Sequence, residues 1–262
     1  MVHSYNFKKP PYRHKEGVRV RICLTLREWH AEKIVVPTNY NELIQGAIYR
    51  NISNDLAKFL HEKGFVLSKR RFKLFTFSRL LGNYVFDRRH GKFVYSGDVK
   101  LLISSPVKRF VKELANTILK KGFITLGENR LRVVEMAFPL IPHFDKEVKI
   151  RTLSPITVYS TLLTADGKKK TYYYSPWESE FSKLLDQNAK KKYFILKKRK
   201  LKSSLSIKPL RVKEVVVIYK GFVIKGWIGT FILSGPKSLI KTVYEAGLGP
   251  KNSQGFGMFE VM

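Results

Sequence analysis

His61 and Tyr49 are of types that can move a proton, and both lie where a helix would turn them away from the core. An imidazole has an ordinary pKa near ~6.5 and can take up or release a proton close to neutral pH. A phenol, with a pKa of about 10, becomes a base there only if a neighbouring cation favours its anion. Both residues fall off apolar stripes. A helix capped at Thr38 or Asn39 puts Tyr40, Ile44, Ala47, Ile48 and Ile52 on one side, and Tyr49 lies on the flank with Glu42 and Gln45. A second short helix, capped by Ser53-Asn54-Asp55, turns Leu56, Phe59 and Leu60 inward and leaves His61 one residue beyond them. The pattern suits general acid–base chemistry, although a lone exposed histidine or tyrosine is usually just surface. The six histidines are scattered and the one cysteine is Cys23, with no HExxH or CxxC spacing, so the chemistry expected is free of metal and cofactor.

The elements that must position these groups read as two modules behind a polar lead-in, residues 1–16, with Pro10 and Pro11. In the first, residues 17–140, Val18, Val20, Ile22, Leu24 and Leu26 alternate with Arg19, Arg21, Cys23 and Thr25. That is a half-buried strand whose basic face is either solvated or turned to phosphate. The two helices follow, then a strand from Phe72 to Phe77, a hairpin of Tyr84–Phe86 with Phe93–Tyr95, and a strand from Val99 to Ile103. A helix opened by Pro106 carries Val107, Phe110, Val111, Leu114 and Ile118, and Leu131–Met136 closes the unit. Strand–helix–strand–strand–helix–strand is a ferredoxin-like order.

Pro139 to Pro142 marks a boundary, and residues 145–262 repeat the order. Val148–Leu153 and Ile156–Leu162 are extended, and a helix from Pro176 runs through Phe181, Leu184 and Leu185. A hairpin turns at Lys220-Gly221, a last helix carries Leu239, Ile240 and Val243, and Met258–Val261 ends the chain, with an insertion between about residues 163 and 210. The fold class expected is α+β: two tandem ferredoxin-like βαββαβ modules with a basic cleft between or across them. No internal sequence repeat accompanies the duplication, which rests on element order.

Charge names the kind of partner. Lys and Arg number 50 against 20 Asp and Glu, a formal +30, in a chain that is 44% hydrophobic. Such a chain folds, and its self-repulsion is explained by a polyanion. No apolar run spans a bilayer, since Lys220 and Lys225 interrupt Val215–Leu233, and Met1–Glu16 has no signal-peptide core. A lone cysteine fits a reducing cytoplasm. Between Gln187 and Lys213 there are eleven Lys and Arg and no acid. The clusters Lys69-Arg70-Arg71, Lys190-Lys191-Lys192 and Lys197-Lys198-Arg199-Lys200 read as a phosphate track, against a merely solvated face. Tyr172-Tyr173-Tyr174 and Trp177 are stacking surfaces for bases or aromatics of the second module's core. His90, in the basic hairpin turn with Arg88, Arg89 and Lys92, is a reserve histidine.

The stretch Gly247-Leu248-Gly249-Pro250-Lys251-Asn252-Ser253-Gln254-Gly255-Phe256-Gly257 precedes the last strand. Glycines at both ends of a polar core read as a shaped loop with exposed N–H groups. This Gly-x-Gly, polar spacer, Gly-aromatic-Gly pattern resembles the C-terminal motif of the RAMP superfamily, in particular the CRISPR-associated endoribonucleases that cut repeat RNA into guide RNAs. Gln45–Tyr49, Leu60–Glu62 and Phe72–Thr76 resemble the archaeal members' N-terminal stretch. By that likeness Tyr49, His61 and Lys73 stand where a catalytic tyrosine, histidine and lysine are found. The resemblance implies metal-independent attack by the RNA's own 2′-OH, leaving 2′,3′-cyclic phosphate and 5′-OH ends. Lys73 would favour the Tyr49 phenolate or stabilise the phosphate's charge, and which of His61 and Tyr49 is base and which acid stays open. It implies repeat RNA as substrate, Gly249, Lys251, Asn252, Ser253, Gln254 and Gly255 as an RNA-contacting wall, and other CRISPR effector subunits or a second copy as further partners. A catalytically silent RNA-binding subunit of the same fold is the alternative.

Overall fold

The protein, seen here as a computed structural model, is described for residues 19–163 and 166–262. The lead-in, with Val18, lies outside the described residues.

The N-terminal half runs β1 (Arg21–Glu28), β2 (Lys33–Pro37), α1 (Tyr40–Arg50), α2 (Asn54–Lys58), β3 (Phe65–Leu67), β4 (Arg70–Phe72), β5 (Thr76–Phe77), β6 (Leu81–Asp87), β7 (Lys92–Ser104), α3 (Lys108–Lys121), β8 (Phe123–Leu126) and β9 (Asn129–Ala137). β7 is the spine. The expected short hairpin strand and the strand after it are one 13-residue element. Lys100 of β7 is flanked by Thr25 and Leu81, and Ser96 by Lys33 and Asn83, so β1 and β2 share one edge while β6 takes the other. With β9 beyond β1, the order β9-β1-β7-β6 is antiparallel and ferredoxin-like. Ile22, Leu24 and Leu26 pack with Ile44 and Ile48 of α1 and Phe110 and Leu114 of α3 in one core.

The C-terminal half runs β10 (Glu147–Thr152), the hairpin β11 (Tyr159–Leu163) and β12 (Lys169–Tyr173), α4 (Ser179–Lys197), β13 (Ser206–Tyr219), β14 (Phe222–Ser234), α5 (Lys237–Ala246) and β15 (Phe259–Val261). Its sheet order, β13-β14-β10-β15, repeats the first. The insertion is smaller than expected: only β11 and β12 are added, and most of the basic run from Gln187 to Lys200 belongs to α4, the second sheet's own first helix. β13 and β14 pair from Ser206↔Ser234 to Tyr219↔Phe222. Lys220 and Gly221 make the turn, both at positive φ (49° and 76°), as a two-residue hairpin requires.

Contacts between the halves are extensive. Arg21, expected on an open face as a solvated or phosphate-facing side chain, is only 2% exposed. Its guanidinium donates to the carbonyls of Phe259 and Tyr244, 3.0 Å each, and stacks 3.8 Å from the Tyr244 ring centre. The second module covers this part of the first sheet, so the arginine serves docking.

Candidate active site and nucleic-acid cleft

α1 buries Tyr40, Asn41, Ile44, Ala47 and Ile48, which leaves Tyr49 at the helix flank, half-buried against Phe75 with ring centroids 5.9 Å apart. α2 runs on into a π-helical turn, Phe59–Lys63. The Gly64 N–H reaches back five residues to the Phe59 carbonyl at 2.6 Å, and Gly64 itself sits at φ 63°. A Cβ there would stand 2.8 Å from the Phe72 carbonyl oxygen. Widened turns of this kind favour functional positions, and this one presents His61 to solvent. Tyr49 and His61 meet edge to face with centroids 6.2 Å apart.

The expected strand from Phe72 to Phe77 is broken. β4 ends at Phe72 and β5 begins at Thr76, with Leu74 between them at φ 53°, a left-handed conformation costly for a branched-chain residue. Ser105 Oγ fixes the Leu74 carbonyl at 2.7 Å. The break aims Lys73 so that its Nζ lies 5.6 Å from the centre of the Tyr49 ring. The three expected residues therefore converge. The notion that Lys73 draws out a Tyr49 phenolate does not hold, because the ammonium faces the ring. Burial, with Tyr219 nearby, pushes the Tyr49 pKa well above its ordinary value, and its hydroxyl is buried without a partner. Tyr49 is held as a phenol. Burial and Lys220 lower the pKa of Lys73.

Beside the trio lies a cleft of about 740 Å³ between the halves. Arg70 to Phe75 form one wall, and Gly249 to Gln254, Asn188 of α4 and Tyr159 to Thr161 the other. Lys73 lines it, while Tyr49 and His61 are not among its lining residues and reach it through their contacts with one another and with Lys73. Lys69, Arg70 and Arg71 are exposed at the β3–β4 hairpin, Arg71 donating to the Glu62 carbonyl at 2.7 Å. Arg70 and Lys191 converge from the two halves closely enough that the arginine, after burial, depresses the lysine's pKa. Asn188 Oδ1 and Gln254 Oε1 are buried on the walls with no partner. The cations suit an anionic ligand, and the two unmet acceptors suit one that also carries O–H or N–H donors.

The other basic residues divide. Lys197, Lys198, Arg199 and Lys200 are exposed at the end of α4. Lys190 is held by Asp186 Oδ2 at 2.8 Å and Ser204 Oγ at 2.9 Å. Lys192, expected on the phosphate track, is 2% exposed. It falls on the helix's buried stripe with Phe181, Leu185, Asn188 and Ala189, and its Nζ donates to the carbonyls of Gly247 (2.6 Å) and Gly249 (2.8 Å) and to Asn252 Oδ1 (2.5 Å). Burial drops its pKa to about 7.

Three expected members of the RNA wall are likewise interior. Asn252 is buried and ties the loop together, its Nδ2 donating to Leu248 and Phe256. Gly249 and Gly255 are buried at positive φ, and a Cβ would stand 2.8 Å from Leu185 Cδ2 in the first case and 2.5 Å from Phe77 Cε2 in the second. The loop's other face docks on the first half: Asn41 donates to the Gln254 carbonyl at 2.8 Å, Thr76 to the Phe256 carbonyl at 3.0 Å, and Gln45 to the Ser253 carbonyl. Ser253, Gln254 and Lys251 remain part-exposed, with Lys251 Nζ 5.0 Å above the Tyr159 ring.

Of the aromatics, Trp177 and Tyr172 are exposed, and Tyr173 and Tyr174 are half-buried. His90 is paired with Asp87 at 2.7 Å in its hairpin turn. Sequence reading missed Tyr219 and Lys220. The tip of the β13–β14 hairpin crosses to α1, where the Tyr219 hydroxyl donates to Gln45 Oε1 and the Lys220 N–H to Glu42 Oε1 at 2.5 Å. The Lys-Gly turn pointed to the hairpin, and nothing local pointed to its destination.

Residues 35–137 match the family model described as CRISPR-associated protein Cas6, N-terminal, and residues 139–261 the one described as CRISPR associated protein Cas6, C-terminal. The chain is 33% identical over 255 residues to a Methanocaldococcus jannaschii protein named CRISPR-associated endoribonuclease Cas6 1, across 93% of this chain and 92% of that one. It is 31% identical over 235 residues to a Pyrococcus furiosus protein named CRISPR-associated endoribonuclease Cas6, across 86% and 83%. A solved structure named CRISPR associated protein Cas6 superposes with a TM-score of 0.76 at 31% identity, covering 93% of this chain and 99% of the other.

Proposed function

The chain belongs to the Cas6 family of CRISPR-associated endoribonucleases, and on that premise we propose that it binds CRISPR repeat RNA along the inter-module cleft and cuts it beside Tyr49, His61 and Lys73 to release guide RNAs. The observation that carries this reading is the convergence of those three side chains, from three separate elements, with Lys73 of the three lining a cationic cleft.

RNA supplies the nucleophile. His61 accepts the proton of the 2′-OH as its oxygen forms a bond to phosphorus. The bond from phosphorus to the 5′-oxygen breaks, and that oxygen takes a proton from the Tyr49 phenol, which only so basic an alkoxide can draw off. Lys73 stabilises the charge on the pentacoordinate phosphate. The products are a 2′,3′-cyclic phosphate and a 5′-OH, with no metal ion required. Arg70, Arg71, Lys191 and Lys251 hold the backbone, and Lys197, Lys198, Arg199 and Lys200 extend the track. The cytoplasm, where repeat transcripts arise, is the compartment this activity needs; among the described residues no helix is long and apolar enough to cross a membrane.

Labelled repeat RNA incubated with the pure protein in EDTA tests the reading. Site-specific cutting with a cyclic phosphate end is expected, and His61→Ala should bind and not cut. Intact RNA after long incubation with the wild type would instead identify a silent RNA-binding subunit.

A further inference from the structure

We propose that a second cleft, beside the catalytic trio, is a nucleobase subsite that takes one base of the RNA, unstacked from its neighbours, next to the scissile phosphate. The proposal rests on the reading of the chain as an RNA-cutting enzyme and names a specificity site that the trio and the basic track do not include.

The cleft has a volume of about 530 Å³ and lies between two hairpins. Tyr159 and Tyr173 of β11–β12 form one side, their centroids 5.8 Å apart. Phe222 of β14 forms the other, with Tyr219 as the floor. The Tyr173 hydroxyl donates to the Val223 carbonyl at 3.2 Å, which holds the hairpins in register. Phe222 is 73% exposed, so core packing does not account for a phenyl ring at this rim. Aromatic walls of this kind take any base by its π-face.

The polar groups are arranged for a nucleotide as well. Lys220 and Lys251 line the cleft, and Lys251 and Gln254 line both clefts, so a chain passing through the first has a continuous path into the second. Gln254 Oε1 is buried with no hydrogen-bond partner among the described residues. An N–H on a base edge would satisfy it, and leaving a buried acceptor unmet is costly. The position relative to the chemistry follows from the floor. Tyr219 bonds to Gln45, one turn before Tyr49 on α1, and Lys220 is near enough to Lys73 to depress its pKa. A base seated here belongs to a nucleotide flanking the phosphate at the trio.

The test is a double-mutant cycle read by binding. Repeat RNA from the CRISPR array of the same genome is prepared with an abasic ribose at each position in turn, and its affinity is measured for the wild type and for Phe222→Ala. Phe222 is exposed, so that variant folds. One abasic position next to the cut should weaken wild-type binding roughly tenfold, Phe222→Ala should weaken intact RNA by a similar factor, and the two together should lose no more than either alone. Losses that multiply at every position would overturn the subsite. Gln254→Leu should flatten the wild type's preference among A, C, G and U at that position, and an unchanged preference would count against the subsite as drawn. A wild type that cuts while the cycle multiplies loses only this subsite. A wild type that fails to cut loses the enzyme reading, and the binding cycle still decides the subsite.

Discussion

Tyr49 and His61 come from different helices, yet their rings meet edge to face at 6.2 Å, with the ammonium of Lys73 over the tyrosine's open face. The Tyr49 hydroxyl is the one polar group of this cluster that is buried without a partner. An unmet buried hydroxyl costs stability, and an oxygen of a bound RNA could accept its proton.

Tyr49→Phe separates the two effects. The variant should melt at or slightly above the wild-type temperature, bind repeat RNA unchanged, and cut it roughly 10²–10⁴-fold more slowly. Calorimetry with a single-turnover cleavage assay checks this. A lower melting temperature with normal cutting would make Tyr49 a packing residue.

Arg70 and Arg71 line the cleft and have no carboxylate partner among the described residues, whereas Lys190 is held by Asp186. Removing both arginines should reduce the slope of log K against log salt by about 1.4, at roughly 0.7 per phosphate on a single strand. Lys190→Ala should leave the slope nearly intact. Filter binding from about 50 to 200 mM salt distinguishes the two.

Lys192 links stability to pH. Its folded-state pKa of about 7 lies below the ordinary 10.5, so between those values the unfolded chain holds the proton and the folded chain does not. Stability must then rise with pH through that window, by up to about 1.4 kcal/mol per unit, and be least at and below pH 7. Lys192→Met should abolish this part of the slope. It should also cost about 3 kcal/mol at pH 7, because three acceptors lose their donor. Denaturant titrations at pH 7 and 9 measure both.

Gly255→Ala should destabilise the protein more than an exposed substitution would. The residue sits at φ 85°, and a methyl group would meet Phe77 and Asn41 of the other half. Left-handed backbone alone costs about 1–2 kcal/mol for a residue with a Cβ. The expected result is a lower melting temperature together with weaker RNA binding; weaker binding at an unchanged melting temperature would return the glycine to the RNA wall.

Both ferredoxin-like orders were legible because strands such as Val20–Leu26 and helices such as Phe110–Ile118 carry clean periods of 2 and 3.6. Tyr49 and His61 were legible for the same reason, since falling off a stripe is a local property. Lys73 needed the break at Leu74, which no glycine or proline announces. Lys192 could have been found: four residues after Asn188 and seven after Leu185, it sits on the apolar stripe of its own helix. The basic composition around it concealed that. Asn252, Gly249 and Gly255 looked available because the loop reads as polar and open, and only the docking of one half on the other turns it inward. Tyr219 and Lys220 act on partners more than 170 residues away, beyond the reach of any local pattern.

That last separation has a consequence for how the enzyme comes into being. Tyr49, His61 and Lys73 leave the ribosome early, but the hairpin tip that closes over α1 emerges only after residue 219, and the loop that anchors Asn41 and Gln45 later still. A nascent chain stalled before the tip carries Tyr49, His61 and Lys73 without the second half's wall of the cleft. On the proposed reading, the groove is complete only once the second half has been made and has docked.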